Sequence, residues 1–387
     1  MATNQSPATS RNPVANLRQY GQSVWLDFLR RRLIDTGELG RLIAEDGLAG
    51  VTSNPAIFQK AIEGNDDYAA PIAEIAKDRA LSPRQVFEKL AVADVRAAAD
   101  VLAPVYRETG GADGFVSLEV APDVAHDAHA SIEEGRRLWH AVDRPNIMIK
   151  VPATAEGLPA IGTLLGEGIN VNITLLFARS VYERVVETYL TALEKRLRAG
   201  ERIEHVASVA SFFVSRIDTA VDARITRALE GLTGIARDQL AGLAGQVAIA
   251  NAKLAYQSYL RLFSGPRWEV LRAAGARPQR LLWASTGTKD PRYSDVLYVE
   301  GLIGSNTVNT MPPETLAAYR DHGHPHATLE AGVDDARRVL EQLERAGISL
   351  DQVTDELLIE GVQKFVDPYT KLLAAVERRI REPGARG

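Results

Sequence analysis

Eight short β-type runs recur along this 387-residue chain, alternating with helical stretches. They fall at 24–28, 51–54, 115–120, 147–151, 171–176, 206–213, 281–286 and 307–310, and are rich in Val, Ile, Leu and Phe. Between them lie helical patterns over 29–44, 83–107, 131–141, 179–199, 215–263 and 295–302. Strands alternating with helices predict a parallel α/β fold, and eight is the count of a closed (β/α)8 TIM barrel. The rival, a doubly wound open sheet, would call for a G-x-G-x-x-G after a first strand, and none is present. The predicted barrel fills 21–313, including long helical insertions between the second and third runs and between the sixth and seventh. Residues 1–20 read as a flexible tail. Residues 314–387 read as C-terminal helices packed on the barrel, with amphipathic patterns at 327–346 and 355–381 whose charges are spaced for solvent-facing pairs.

Composition narrows the function. Net charge is −5, so no bulk positive field invites nucleic acid or an anionic membrane. The absence of cysteine removes disulfide scaffolds, thiolate zinc sites, iron–sulfur clusters and cysteine nucleophiles together. The polar start MATNQSPATSRNP lacks the apolar core of a signal peptide, and no apolar run reaches the ~20 residues of a membrane span, so a cytoplasmic location is expected. Only nine of the 45 basic residues are lysine. Arginine stays protonated, whereas lysine can lose its proton and become a nucleophile, so a lysine in an apolar setting stands out.

Such a lysine is Lys150, which follows Ile147-Met148-Ile149 and precedes Val151-Pro152. Other strands also carry polar residues near their C-terminal ends: Asp27, the same-face pairs Thr52/Asn54 and Ser117/Glu119, the set Asn170/Asn172/Thr174, and Ser211. One strand-end Asp or Asn is most simply a helix cap. Six strands doing so at one end match the mouth of a barrel, where active sites sit. Independent caps explain neither Lys150 nor Glu119, because charges rarely enter buried strands unless paired or functional. A desolvated lysine amine can attack a ketone and form a Schiff base. A structural ion pair with Glu119 on the adjacent strand fits the spacing equally well. Ser211 and Arg216, in the segment that runs from the sixth strand into a helix start, and Ser285 and Lys289 after the seventh strand, are candidates to bind phosphate. The stretch His322-Gly323-His324-Pro325-His326 reads as a solvated loop, since it lies outside the strand ends and lacks a nearby carboxylate cluster to complete a metal site.

These residues resemble the transaldolases, specifically the longer bacterial form. The matching segments are VTSNPAIF at 51–58, SLEVAPDVAHD at 117–127, IMIKVPATAEG at 147–157, GINVNITLLF at 168–177, SFFVSRID at 211–218 and WASTGTKDPRYSD at 283–295. The resemblance implies transfer of a dihydroxyacetone unit from sedoheptulose 7-phosphate to glyceraldehyde 3-phosphate in the pentose phosphate pathway, giving erythrose 4-phosphate and fructose 6-phosphate. It implies Lys150 as the Schiff-base lysine and Glu119 as an acid/base acting through a water that Thr174 helps to hold. Asp27 would take the hydroxyl proton during carbon–carbon cleavage, Asn54 and Asn172 would hold the dihydroxyacetone hydroxyls, and Ser211 and Arg216 the phosphate. Shorter members carry an arginine after strand seven, and by resemblance Lys289 takes that place. No metal or cofactor is expected, since the iminium itself stabilises the carbanion. The partners expected are small phosphosugars, with the chain as a monomer or homodimer. A fructose 6-phosphate aldolase of the same fold is the alternative enzyme; there the positions of Glu119 and Phe213 resemble glutamine and tyrosine. A non-catalytic phosphosugar-binding barrel is the other alternative, and it has no need of a buried nucleophile.

Overall fold

All eight apolar runs become strands, and they pair in chain order as a closed parallel barrel in the computed structural model, which describes residues 12–381. The strands are β1 Gln22–Leu26, β2 Gly50–Thr52, β3 Phe115–Glu119, β4 Ile147–Pro152, β5 Val171–Leu176, β6 Ser208–Phe213, β7 Arg280–Ala284 and β8 Thr307–Met311. Helices cover the outer face, so strand residues are buried on both sides and the apolar runs need no alternation. β1 closes on β8, with Gln22 opposite Thr307 and Leu26 opposite Met311. At the β1–β2 seam the Trp25 indole lies against Gly50, where an added Cβ would sit 2.5 Å from the ring. Only glycine admits that approach.

Strand ends moved by one to a few residues, as expected where loops carry the polar groups. Several helices are shorter than periodicity suggests. The stretch 29–44 is two helices, Arg31–Asp35 and Glu38–Asp46, separated by Gly37 at φ +72°. The stretch 215–263 is three, Ser215–Leu229, Gly234–Ala241 and Val247–Leu262, and 295–302 keeps only Leu297–Glu300. The C-terminal helix is longer than expected, Leu350–Arg381.

The flexible tail expected over 1–20 needs correction where it is described. Pro13–Asn16 and Leu17–Tyr20 form helical turns, Asn12 caps the first through Val14 N at 3.0 Å, and Val14 and Leu17 are fully buried. The rest of that expectation, residues 1–11, lies outside the described residues. At the other end the C-terminal helix packs on helices Pro55–Glu63 and Pro83–Glu108 and reaches the end of β5. There the β5–β6 register shifts between Ile173 and Leu176, and Leu175 adopts φ +60°. Among the described residues no helix is long and apolar enough to cross a membrane.

Candidate active site

Register brings the polar strand-end residues together. Glu119 on β3 lies opposite Lys150 on β4, and Lys150 lies opposite Asn172 on β5. Pro152 lies opposite Thr174 one pleat further on. Lys150 is 4% exposed. Its Nζ donates to Glu119 Oε2 at 3.1 Å and to the backbone carbonyl of Ser53 at 3.2 Å. The ion pair and the candidate nucleophile are therefore one arrangement: the amine already touches a carboxylate able to accept its proton.

A hydrogen-bonded web fixes the neighbouring groups. Thr52 Oγ1 donates to Asp27 Oδ1 at 2.7 Å and lies 2.7 Å from Thr310 Oγ1. Asn172 is fully buried, accepts from Ser211 Oγ at 2.7 Å and donates to Ser117 Oγ at 3.0 Å. Asn54 caps Pro55–Glu63, its Oδ1 accepting from Ile57 N at 3.0 Å, so its amide nitrogen remains as a donor. The cap reading of a strand-end Asn holds here, and it leaves the amide nitrogen facing the cavity that Asn54 lines.

Nine of the eleven expected residues line one cavity of ≈180 Å³: Asp27, Thr52, Asn54, Lys150, Thr174, Ser211, Arg216, Ser285 and Lys289. The other two stand just outside its wall. Asn172 meets it through Ser211, and Glu119 borders a smaller cavity of ≈30 Å³ beside Ser53 and Asn54. Three buried polar atoms here lack a hydrogen-bond partner among the described residues: Glu119 Oε1, Thr174 Oγ1 and Arg216 Nη1. Buried polar atoms are normally paired, so three orphans in one mouth make it the candidate ligand site.

Electrostatics follow burial. Desolvation pushes the Glu119 carboxyl up to about 7, against the pull of the Lys150 ammonium. Burial also raises Asp27, partly offset by Lys150, the Thr52 hydroxyl and Arg216. Glu119 can thus hold or release a proton near neutrality, which suits general acid–base chemistry.

The phosphate candidates gather on one side. Arg216 lies in the first turn of Ser215–Leu229 with its guanidinium 4.9 Å from the centre of the Phe213 ring. Burial lowers its pKa, yet Asp27 and Glu119 favour its charge. Ser285 sits at φ +57° after β7, its hydroxyl 3.0 Å from that of Ser215. Lys289 is exposed at the rim. The histidine stretch stays apart: His322 pairs with Asp295 at 2.9 Å. Among the described residues no group of three His, Cys, Asp or Glu is arranged to hold a metal.

The structure adds residues to which sequence reasoning gave no role in the site. Thr310 on β8 shares its hydroxyl with Thr52, and Ser117 anchors Asn172. Phe365, from the C-terminal helix, places its ring centre 5.5 Å from Lys150 Nζ. Thr310 was visible as a strand-end hydroxyl in the eighth run; Phe365 carried no signal beyond an apolar helical position.

Comparison with known proteins agrees with this geometry. A family model described as Transaldolase/Fructose-6-phosphate aldolase matches residues 24–376. The chain is 47% identical to "Transaldolase 2" of a Nostoc species, over 96% of this chain and 98% of that protein. It is 47% identical to "Transaldolase" of Thiobacillus denitrificans, over 94% and 99% of the two chains. It is also 47% identical to "Transaldolase 1" of Streptomyces avermitilis, over 98% and 99%. With a barrel mouth built around a buried Lys–Glu pair and a family match over nearly its whole length, the chain belongs to the transaldolase/fructose-6-phosphate aldolase family.

Proposed function

We propose that this chain is a metal-independent transaldolase that moves a dihydroxyacetone unit from sedoheptulose 7-phosphate to glyceraldehyde 3-phosphate through a Schiff base on Lys150. The observation that carries the reading is the Lys150 amine, buried in the barrel mouth and hydrogen-bonded to Glu119 at 3.1 Å. Lys150 Nζ attacks the donor ketone carbon, and Glu119, through a water that Thr174 helps to hold, moves the protons that let the carbinolamine lose water to an iminium. Asp27 takes the proton of the C4 hydroxyl, the C3–C4 bond breaks, and its electron pair passes into the iminium to give an enamine. Erythrose 4-phosphate leaves. The enamine carbon then adds to the aldehyde carbon of glyceraldehyde 3-phosphate, and Asp27 returns its proton to the new alkoxide. Water adds to the resulting iminium, the C–N bond breaks, and fructose 6-phosphate departs with the amine restored.

Asn54 offers its amide nitrogen to the dihydroxyacetone hydroxyls, while Thr52 orients Asp27. Asn172 and Ser211 act as a unit, because the Ser211 proton lies on Asn172. Arg216 meets the phosphate with Lys289 and Ser285. Ser211 can join them only by turning its proton away from Asn172. Glutamate at 119 and phenylalanine at 213 support the transferase over the aldolase of the same family. Phosphosugars in the cytoplasm are the partners this reading implies, with the chain as monomer or homodimer.

Borohydride reduction in the presence of fructose 6-phosphate tests the reading. The expected product is a reduced three-carbon unit on the peptide holding Lys150, with none on Lys150→Ala protein. Labelling at another lysine, or none in active protein, overturns it.

A further inference from the structure

The C-terminal helix Leu350–Arg381 presents Gly361, Phe365 and Tyr369 on one face, four residues apart. Each meets a different part of the barrel mouth. At Gly361 an added Cβ would come within 2.9 Å of Leu175 Cδ2, and Leu175 follows Thr174 in the irregular part of β5. Phe365 is 5% exposed, lines the ≈180 Å³ cavity, and holds its ring centre 5.5 Å from Lys150 Nζ. Tyr369 borders the smaller cavity with Ser53, Asn54 and Glu119, and its ring meets Phe87 edge-on at 6.0 Å. Packing on Pro55–Glu63 sets the helix beside the element that Asn54 caps.

Phe365 is thus an apolar group in a wall made largely of polar ones, and it stands beside the nitrogen that becomes covalent. An aromatic face near a cationic nitrogen attracts it, and a ring in that position takes space that water would otherwise fill. Resting on the Schiff-base reading above, we propose that Phe365 is a specificity-determining residue: its ring keeps water from the Lys150 adduct, so that the three-carbon unit waits for an aldehyde. The competing reaction is defined. A proton from water adds to the enamine carbon and gives the iminium of dihydroxyacetone. The hydroxide left behind adds to the iminium carbon, the proton of the new hydroxyl passes to nitrogen, and the C–N bond breaks as the carbonyl forms. Free dihydroxyacetone and the Lys150 amine result. The donor is then cleaved without transfer, which is the outcome of an aldolase. Gly361 and Tyr369 position the ring: the first lets the helix approach β5, and the second anchors it one turn further along.

The test compares wild type, Phe365→Ala and Phe365→Leu with fructose 6-phosphate as donor. Two rates are read: release of free dihydroxyacetone without acceptor, and formation of sedoheptulose 7-phosphate with erythrose 4-phosphate. Phe365→Ala should raise the ratio of release to transfer several-fold, and Phe365→Leu, which restores apolar bulk, should bring it back toward wild type. If both rates fall together in Phe365→Ala with the ratio unchanged, the ring is only packing and the proposal fails. Should Phe365→Ala not fold, Phe365→Val is read by the same criterion. Borohydride labelling of wild-type Lys150 separates the two levels. Absent labelling overturns the Schiff-base reading itself, whereas labelling with an unchanged ratio overturns only the role of Phe365.

Discussion

At Glu119 burial and charge pull in opposite directions, and burial prevails: the carboxyl is raised to about 7 although Lys150 Nζ lies 3.1 Å away. Between the ordinary carboxylate range near 4.5 and about 7, the folded chain holds a proton here that the unfolded chain has released. This group's contribution to stability therefore falls as pH rises through that window and levels off above it. Melting temperatures measured from pH 5 to 7.5 should decline less for Glu119→Gln than for wild type. The same substitution should lower kcat by ~10²–10⁴-fold and erase the limb of the kcat–pH profile near 7. A limb that survives in the variant belongs to another group. The phosphate side has its own test. Arg216 is half-buried in the mouth and Lys289 is exposed at its rim, so the arginine is the less screened charge. Arg216→Ala should raise KM for phosphorylated donors more than Lys289→Ala, and both should spare the slow reaction of unphosphorylated dihydroxyacetone. Equal damage to both substrates would make Arg216 structural. The strand-end residues were legible because period two and a shared chain direction fix which side chains meet at one end of a barrel. That Asn172 lies behind Ser211 rather than in the cavity wall was not legible, because it depends on side-chain hydrogen bonds across three strands.

Among the elements, the loop after β7 shows how the proposed phosphate site is held in place. It carries Ser285 and Lys289, and two buried aspartates of helix Ser215–Leu229 fasten its far end. Tyr293 donates to Asp222 Oδ2 at 2.8 Å, and Tyr298 donates to Asp218 Oδ2 at 3.0 Å. The other oxygens accept Gly245 N at 3.1 Å and Ala248 N at 2.8 Å, so the aspartates also tie down the start of helix Val247–Leu262. The helix whose first turn carries Arg216 thus grips the loop bearing Lys289. Tyr293→Phe removes one hydrogen bond to a buried carboxylate, worth about 1.5–3 kcal/mol. We expect a lower melting temperature and a several-fold higher KM for fructose 6-phosphate with kcat nearly unchanged; a KM equal to wild type would mean that the loop is held without this bond. The strands and their order were legible in the sequence, whereas helix ends were not. The broad helical pattern at 215–263 hides two breaks, around residues 230–233 and 242–246, because short amphipathic helices in succession keep the same apolar period. Gly245 at φ +72° marks the second, where an added Cβ would stand 2.7 Å from the Tyr293 ring. The C-terminal helix was legible as amphipathic, but a helical period does not say which neighbour its apolar face meets, so Phe365 was not.

Across the whole molecule the two ends of the barrel carry different loads. At the end opposite the mouth, Asp113 accepts from Ser23 Oγ at 2.6 Å, Trp25 Nε1 at 3.0 Å and Arg280 Nη2 at 2.8 Å. One carboxylate thereby joins β1 and β7 just ahead of β3, and its partners leave it no oxygen without a hydrogen bond. At the mouth the charges are unevenly satisfied: among the described residues Glu119 Oε1 and Arg216 Nη1 have no hydrogen-bond partner. In a barrel the first end supports stability and the second supports chemistry. Asp113→Ala should strand the Arg280 guanidinium, which is only 14% exposed, and breaking such a pair costs about 3–5 kcal/mol. The expected variant unfolds at markedly lower denaturant but keeps wild-type kcat and KM at temperatures where it remains folded. Lys150→Met should do the reverse. It replaces a buried ammonium by an apolar chain of similar length, and Glu119, raised to about 7, can take up a proton when its partner is gone. Stability at pH 6 should therefore match or exceed wild type while transfer activity disappears. Denaturant titration and steady-state assays on these two variants decide the matter: if Asp113→Ala loses kcat in step with stability, the two ends are coupled and the division between them is wrong.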